Sequence, residues 1–89
     1  MLRITEISVD EKTVTLRLDG SVVNTAVSEL ERLCLHYGNN ENKNVVLDFS
    51  GVTFMNNEAV EMLKRIKGQR IKIVNPSLFI ETLLGDLHA

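Results

Sequence analysis

The chain has 89 residues, 44% apolar, 25% charged and 4% aromatic, with a formal net charge of −2. A chain of this length buries about 60–65% of the surface it exposes when unfolded, enough for one modest core, so residues 1–89 are expected to form one domain. The slight negative charge argues against nucleic acid as the main partner, because neutralising phosphates takes a net basic surface.

The opening "MLRITEISVDEK" is broken by Arg3, Glu6 and Asp10, unlike the apolar core of a signal peptide. Within it "LRITEISV" reads as a strand whose apolar parity slips from Leu2 and Ile4 to Ile7 and Val9, which predicts a bulge around Thr5 and Glu6. "DEK" is a short connection to "TVTLRLDG", where Val14, Leu16 and Leu18 alternate with polar residues. Strict period two means a strand with one buried and one wet face, and the pair is expected to form an antiparallel hairpin.

Gly20 to Val23 reads as a turn, with Asn24 or Thr25 as the helix N-cap. Ala26, Val27, Leu30, Leu33, Cys34 and Tyr37 then recur at three and four, the stripe of a helix that Gly38 is expected to end. After the polar loop "GNNENKN", the unbroken apolar run in "NVVLDFSG" is that of an inner strand. Ala59, Val60, Leu63 and Ile66 mark a short second helix stopped at Gly68, and "RIKIV" a further strand. Asn75-Pro76 opens a third helix with Pro76 at its first position and Phe79, Ile80, Leu83, Leu84 and Leu87 on its apolar face.

The order is β-β-α-β-α-β-α. Strand–helix–strand units cross over right-handed between parallel strands, so strands two to four as neighbours put both crossover helices on one face. The expected fold is α/β: a four-stranded mixed sheet with helices mainly on one side. No apolar run reaches the roughly 20 residues a bilayer span needs, and the single cysteine suits a reducing compartment, so the chain is expected in the cytoplasm with no membrane insertion.

"VVLDFSGVTFMNNEAVEML" resembles the central signature of STAS domains, the fold shared by bacterial anti-sigma factor antagonists and the cytoplasmic tails of sulfate transporters. Asp48, Ser50, Gly51, Val52, Phe54 and Met55 match in type and spacing; "LDGSVVNTAVSEL" is similar to the family's approach to its first helix, and "IKIVNPSLFIETL" to its last strand and closing helix. Where the family reads Asp-Ser-Ser-Gly, this chain reads Asn56-Asn57-Glu58-Ala59, and the stretch after it is shorter by roughly a turn or two of helix. In the antagonist branch the second serine accepts phosphate from a partner that is both kinase and anti-sigma factor. Glu58 holds that position here, and a carboxylate cannot play a hydroxyl's part as a stable, reversible phosphoacceptor.

Two readings of Glu58 stand side by side. A carboxylate at a helix start imitates part of a phosphoserine's charge. Alternatively, Asn56 or Asn57 caps the helix and Glu58 stabilises its first turn. The resemblance implies a non-enzymatic regulatory module that binds a protein partner, an anti-sigma factor of the kinase-like type, through Val23 and Asn24 and through Met55, Asn56, Asn57, Glu58, Ala59 and Met62. A second reading is a STAS-type structural subunit of a bacterial lipid-transport ATPase complex, a role that needs no phosphoserine; a third is a self-associating domain that uses its exposed sheet edge or short second helix.

Other candidates read as structural. Ser50 is expected to bond locally within a turn, and Asp48 to hold that turn, having no matching acid or base. Cys34 lies on the apolar stripe of the first helix. Neither His36 nor His88 has metal-ligand spacing, and no glycine-rich phosphate loop is present, so no cofactor or metal is expected. "KRIKGQRIK" holds half the basic residues; cations at a helix C-terminus are the ordinary dipole pattern, though the run also suits an anionic partner.

Overall fold

The computed structural model describes residues 1–66 and 70–85; Gly68, Leu87 and His88, which entered the expectations above, lie outside the described residues. The elements are β1 (Leu2–Val9), β2 (Thr13–Val22), α1 (Thr25–Leu35), β3 (Asn44–Met55), α2 (Asn57–Ile66), β4 (Ile71–Val74) and α3 (Leu78–Leu84). One sheet takes the strands in the order β1-β2-β3-β4. β1 pairs antiparallel with β2, while β2–β3 and β3–β4 are parallel, as crossover helices demand.

The apolar residues of β2 that the alternation pointed inward are inside, as are three apolar residues from the run in the inner strand β3. Val14, Leu16, Leu18, Val45, Leu47 and Phe49 are fully buried and form one core with α1, α2 and α3. Arg17 and Lys72, on the other face of the sheet, are exposed, so the helices lie mainly on one side. Helix α2 buries Ala59, Val60, Met62, Leu63 and Ile66, one residue more than its expected stripe.

Four expectations are corrected. The bulge in β1 lies at Ile7, between Glu6 and Ser8, rather than at Thr5-Glu6. Gly20 does not begin a turn: φ +113° bends the strand, and β2 goes on to pair Gly20–Val22 with β3, which likewise continues through Ser50 to Met55. A side chain at position 20 would meet the Met1 carbonyl oxygen at 2.1 Å, and one at position 51 the Asp19 carboxylate at 2.0 Å. Glycine at both positions lets the strands stay together past the point where turn residues suggest they part.

At the end of α1 no left-handed glycine stops the helix. The backbone widens into a π turn over His36–Asn40, closed by the Glu41 N–H donating to the His36 carbonyl at 3.2 Å, with Gly38 buried inside it. Finally, Pro76 precedes α3 instead of starting it. Ser77 is the N-cap, its hydroxyl accepting from the Ile80 N–H at 3.2 Å, and the hydroxyl cap fixes the helix start at Leu78, two residues after the proline. Of the expected apolar face, Ile80 and Leu84 are buried, but Phe79 stands half out of the protein.

Candidate functional site

The junction of β3 and α2 is held by Asn56. Its N–H donates to the Val22 carbonyl at 3.4 Å, tying the end of β3 to the end of β2. Its side-chain Oδ1 accepts from the Ala59 N–H at 3.0 Å, the bond of an N-cap to the third helical residue. Of the two asparagines, Asn56 is therefore the cap. Asn57 and Glu58 are the first two residues of α2, both exposed, and the Glu58 carboxylate sits where unpaired amides and the helix dipole favour an anion.

Asn24 occupies the corresponding place at α1, with a different geometry. Its backbone takes φ 55°, ψ −127°, and its side chain makes no capping bond. The turn is held instead by main-chain bonds: the Ala26 N–H to the Val23 carbonyl and the Val27 N–H to the Asn24 carbonyl, both 3.1 Å. The Asn24 amide is left exposed, an expensive way to start a helix by propensity alone, since asparagine usually stands there to cap.

The two helix starts open onto one groove of about 430 Å³ between α1 and α2, lined by Asn24, Val27, Ser28, Glu31, Asn57, Glu58, Glu61 and Arg65. The fold thus brings Asn24, Asn57 and Glu58 together. Val23 and Asn56 are half-buried beside them, whereas Met55, Ala59 and Met62 turn their side chains into the core. Contacts along residues 55–62 therefore fall to the other side chains. Arg65 bridges the groove floor, donating from Nη2 to both carboxylate oxygens of Glu31 at 2.9 Å. Three carboxylates against one guanidinium leave the groove acidic. Glu31 and Glu61 were not singled out in the sequence, and Arg65 entered only as part of the basic run; their meeting depends on the polar faces of two helices whose packing no local pattern discloses.

The other candidates take structural places. Asp48 Oδ1 accepts from the Ser50 N–H at 3.0 Å and from Asn75 Nδ2 at 3.4 Å; the Ser50 N–H above all, with Asn75 and Arg17 adding to it, lowers the carboxyl's pKa. Cys34 is fully buried, and burial, with Glu31 adding to it, pushes its thiol up to about 12. Within the basic run, Arg65 is paired with Glu31 and Arg70 donates to the Asn42 carbonyl at 2.6 Å. Among the described residues no three His, Cys, Asp or Glu side chains cluster closely enough to hold a metal ion, and no helix is long and apolar enough to cross a membrane.

The STAS domain family model matches residues 5–78, from the middle of β1 to the start of α3, and takes in the whole of this junction. The chain belongs to the STAS domain family. No curated protein matches it significantly. Among solved structures it is similar to the anti-sigma factor antagonist SpoIIAA in its unphosphorylated form, with a TM-score of 0.74 at 17% identity over 91% of this chain and 80% of that one. At that identity the likeness is one of fold, and it extends to the mixed sheet and its three helices. In this STAS domain the helix start between β3 and α2 is an asparagine cap followed by an exposed carboxylate.

Proposed function

We propose that this STAS domain is a cytoplasmic, non-enzymatic binding module that docks a protein partner over the acidic groove between α1 and α2, with Asn24, Asn57 and Glu58 at its rim. Val23 and Asn56 back that rim, and Met55, Ala59 and Met62 support it from the core. The observation that carries the reading is the exposed Glu58 carboxylate on the first turn of α2, at the position where the family resemblance puts a phosphate-accepting serine. The Asn56 cap explains why the turn is stable, and it leaves Glu58 free to meet another molecule. A carboxylate carries a fixed charge with one fewer acceptor oxygen than a phosphate and forms no stable phosphate ester as a serine does, so binding here does not depend on phosphorylation of this turn.

Affinity purification of the chain from its native cell, with mass spectrometry of bound proteins and modified residues, tests this. The expected result is a bound signalling protein of the anti-sigma or kinase-like type and no phosphoryl group on residues 50–58. Recovery of a transport ATPase with no such protein would replace the regulatory reading with that of a structural subunit. A phosphoryl group cycling on this turn would overturn the absence of a switch.

A further inference from the structure

We propose that the free edge of β1, with the flank of α1 above it, is a two-fold interface with a second copy of this chain. β1 is a terminal strand: β2 pairs with one side of it, and among the described residues nothing pairs with the other. An open row of N–H and C=O groups is a template for another strand. The bulge at Ile7 breaks the register between Glu6 and Ser8 before pairing with β2 resumes at Ser8 and Val9, which leaves the five residues Leu2–Glu6 as the longest regular segment of the edge, symmetric about Ile4.

Helix α1 lies alongside this segment and points the same way. Leu2 shares a cavity with Glu29, and Ile4 shares one with Glu29, Arg32, Leu33 and His36. Further along, the Tyr37 hydroxyl donates to Glu6. Glu29 therefore stands toward the Leu2 end of the segment, and Arg32 and His36 toward the Glu6 end. Glu29 and Arg32 are exposed and belong to none of the ion pairs among the described residues.

A dyad through Ile4, normal to the sheet, sets two β1 strands antiparallel with Ile4 against Ile4, Arg3 opposite Thr5 and Leu2 opposite Glu6. Residues directly opposite in such a pair point to the same face. The same rotation runs the two α1 flanks antiparallel, so Glu29 of each copy faces Arg32 of the other. The stripe is complementary to itself under two-fold rotation, which an isologous contact requires and an unrelated extended segment has no reason to match. Half-buried Leu2, Ile4 and Leu33 are covered by the seam, and the two sheets become one of eight strands. The α1–α2 groove lies on the opposite flank of α1, where Glu31 pairs with Arg65, and stays open in the dimer.

Sedimentation equilibrium of the whole chain tests the interface. The parent, 10.0 kDa as a monomer, is expected to reach twice that mass. Glu29→Arg and Arg32→Glu, both at exposed positions, should keep the circular dichroism of the parent, and each should weaken the dimer about tenfold because the symmetry counts every altered contact twice. Mixed in equal amounts, the two variants pair a basic flank with an acidic one and should recover a dimer of parental strength. Amide exchange at Leu2–Glu6 should slow as concentration rises. A parent that stays monomeric at millimolar concentration, a mixture that fails to recover the dimer, or a dimer with unchanged exchange at Leu2–Glu6 would each overturn the proposal.

Discussion

Asn56 alone takes the cap that the sequence divided between two candidates: its amide oxygen satisfies one orphan donor of α2, while its main-chain N–H fastens β3 to β2. Asn56→Ala is expected to cost about 1 kcal/mol, seen as a lower thermal midpoint, while Asn57→Ala should change stability by only a few tenths of that figure, about 0.3 kcal/mol. Which asparagine caps was not legible, because both have the right chemistry and only the strand's end point chooses between them. Cys34 was legible as a core residue from its place in the apolar stripe. With its thiol raised to about 12, it should resist thiol reagents until the protein unfolds. Its raised pKa favours the fold fully below the unfolded value, and that contribution is lost as pH rises toward the folded one. Asp48 has the opposite sign: its lowered carboxyl pKa stabilises the fold above the unfolded carboxylate value and ceases to as pH falls through the folded one. Urea midpoints of Asp48→Asn should therefore lose part of the parent's acid-side slope, and identical slopes would remove Asp48 from that role.

At the scale of elements, periodicity disclosed interiors and misjudged ends. Strict alternation in β2 specified which of its side chains face the helices, because a one-residue slip would turn each of them to water, whereas the apolar run in β3 disclosed only an interior strand. The ends failed where one residue type serves two purposes. Gly20 reads as a turn, yet here its positive φ and lack of a side chain carry the strand past the Met1 carbonyl. Gly38 reads as a helix stop, yet it packs inside a π turn. Pro76 reads as a first helical residue, but the Ser77 hydroxyl supplies a better cap one position later. Phe79 follows the helical period and still stays half-exposed, stacked on Phe54 with ring centroids 6.2 Å apart. The inner strand is where the fold should be least tolerant: Phe49→Ala removes a fully buried ring between α/β layers and should cost about 3–5 kcal/mol in chemical denaturation. Phe79→Ala, at the exposed stack, should cost clearly less.

Across the whole molecule, topology makes the site. Parallel pairing of β2 with β3 sets the starts of α1 and α2 side by side, so that residues 24 and 57–58, far apart in the chain, border one groove. The family resemblance grouped residues 24 and 57–58 in advance; the Glu31–Arg65 bridge across the groove was not legible, because it depends on how two polar helix faces meet. The same geometry gives α1 two separate flanks, one toward α2 and one toward β1, so that partner binding and self-association need not compete. Glu58 is the residue on which the functional account turns. Its most direct test is the affinity of the captured protein partner for the parent chain and for Glu58→Arg, measured by calorimetry with thermal midpoints recorded alongside. The account predicts a dissociation constant at least about tenfold weaker in the variant at a thermal midpoint close to the parent's; equal affinities in two equally folded proteins would contradict it.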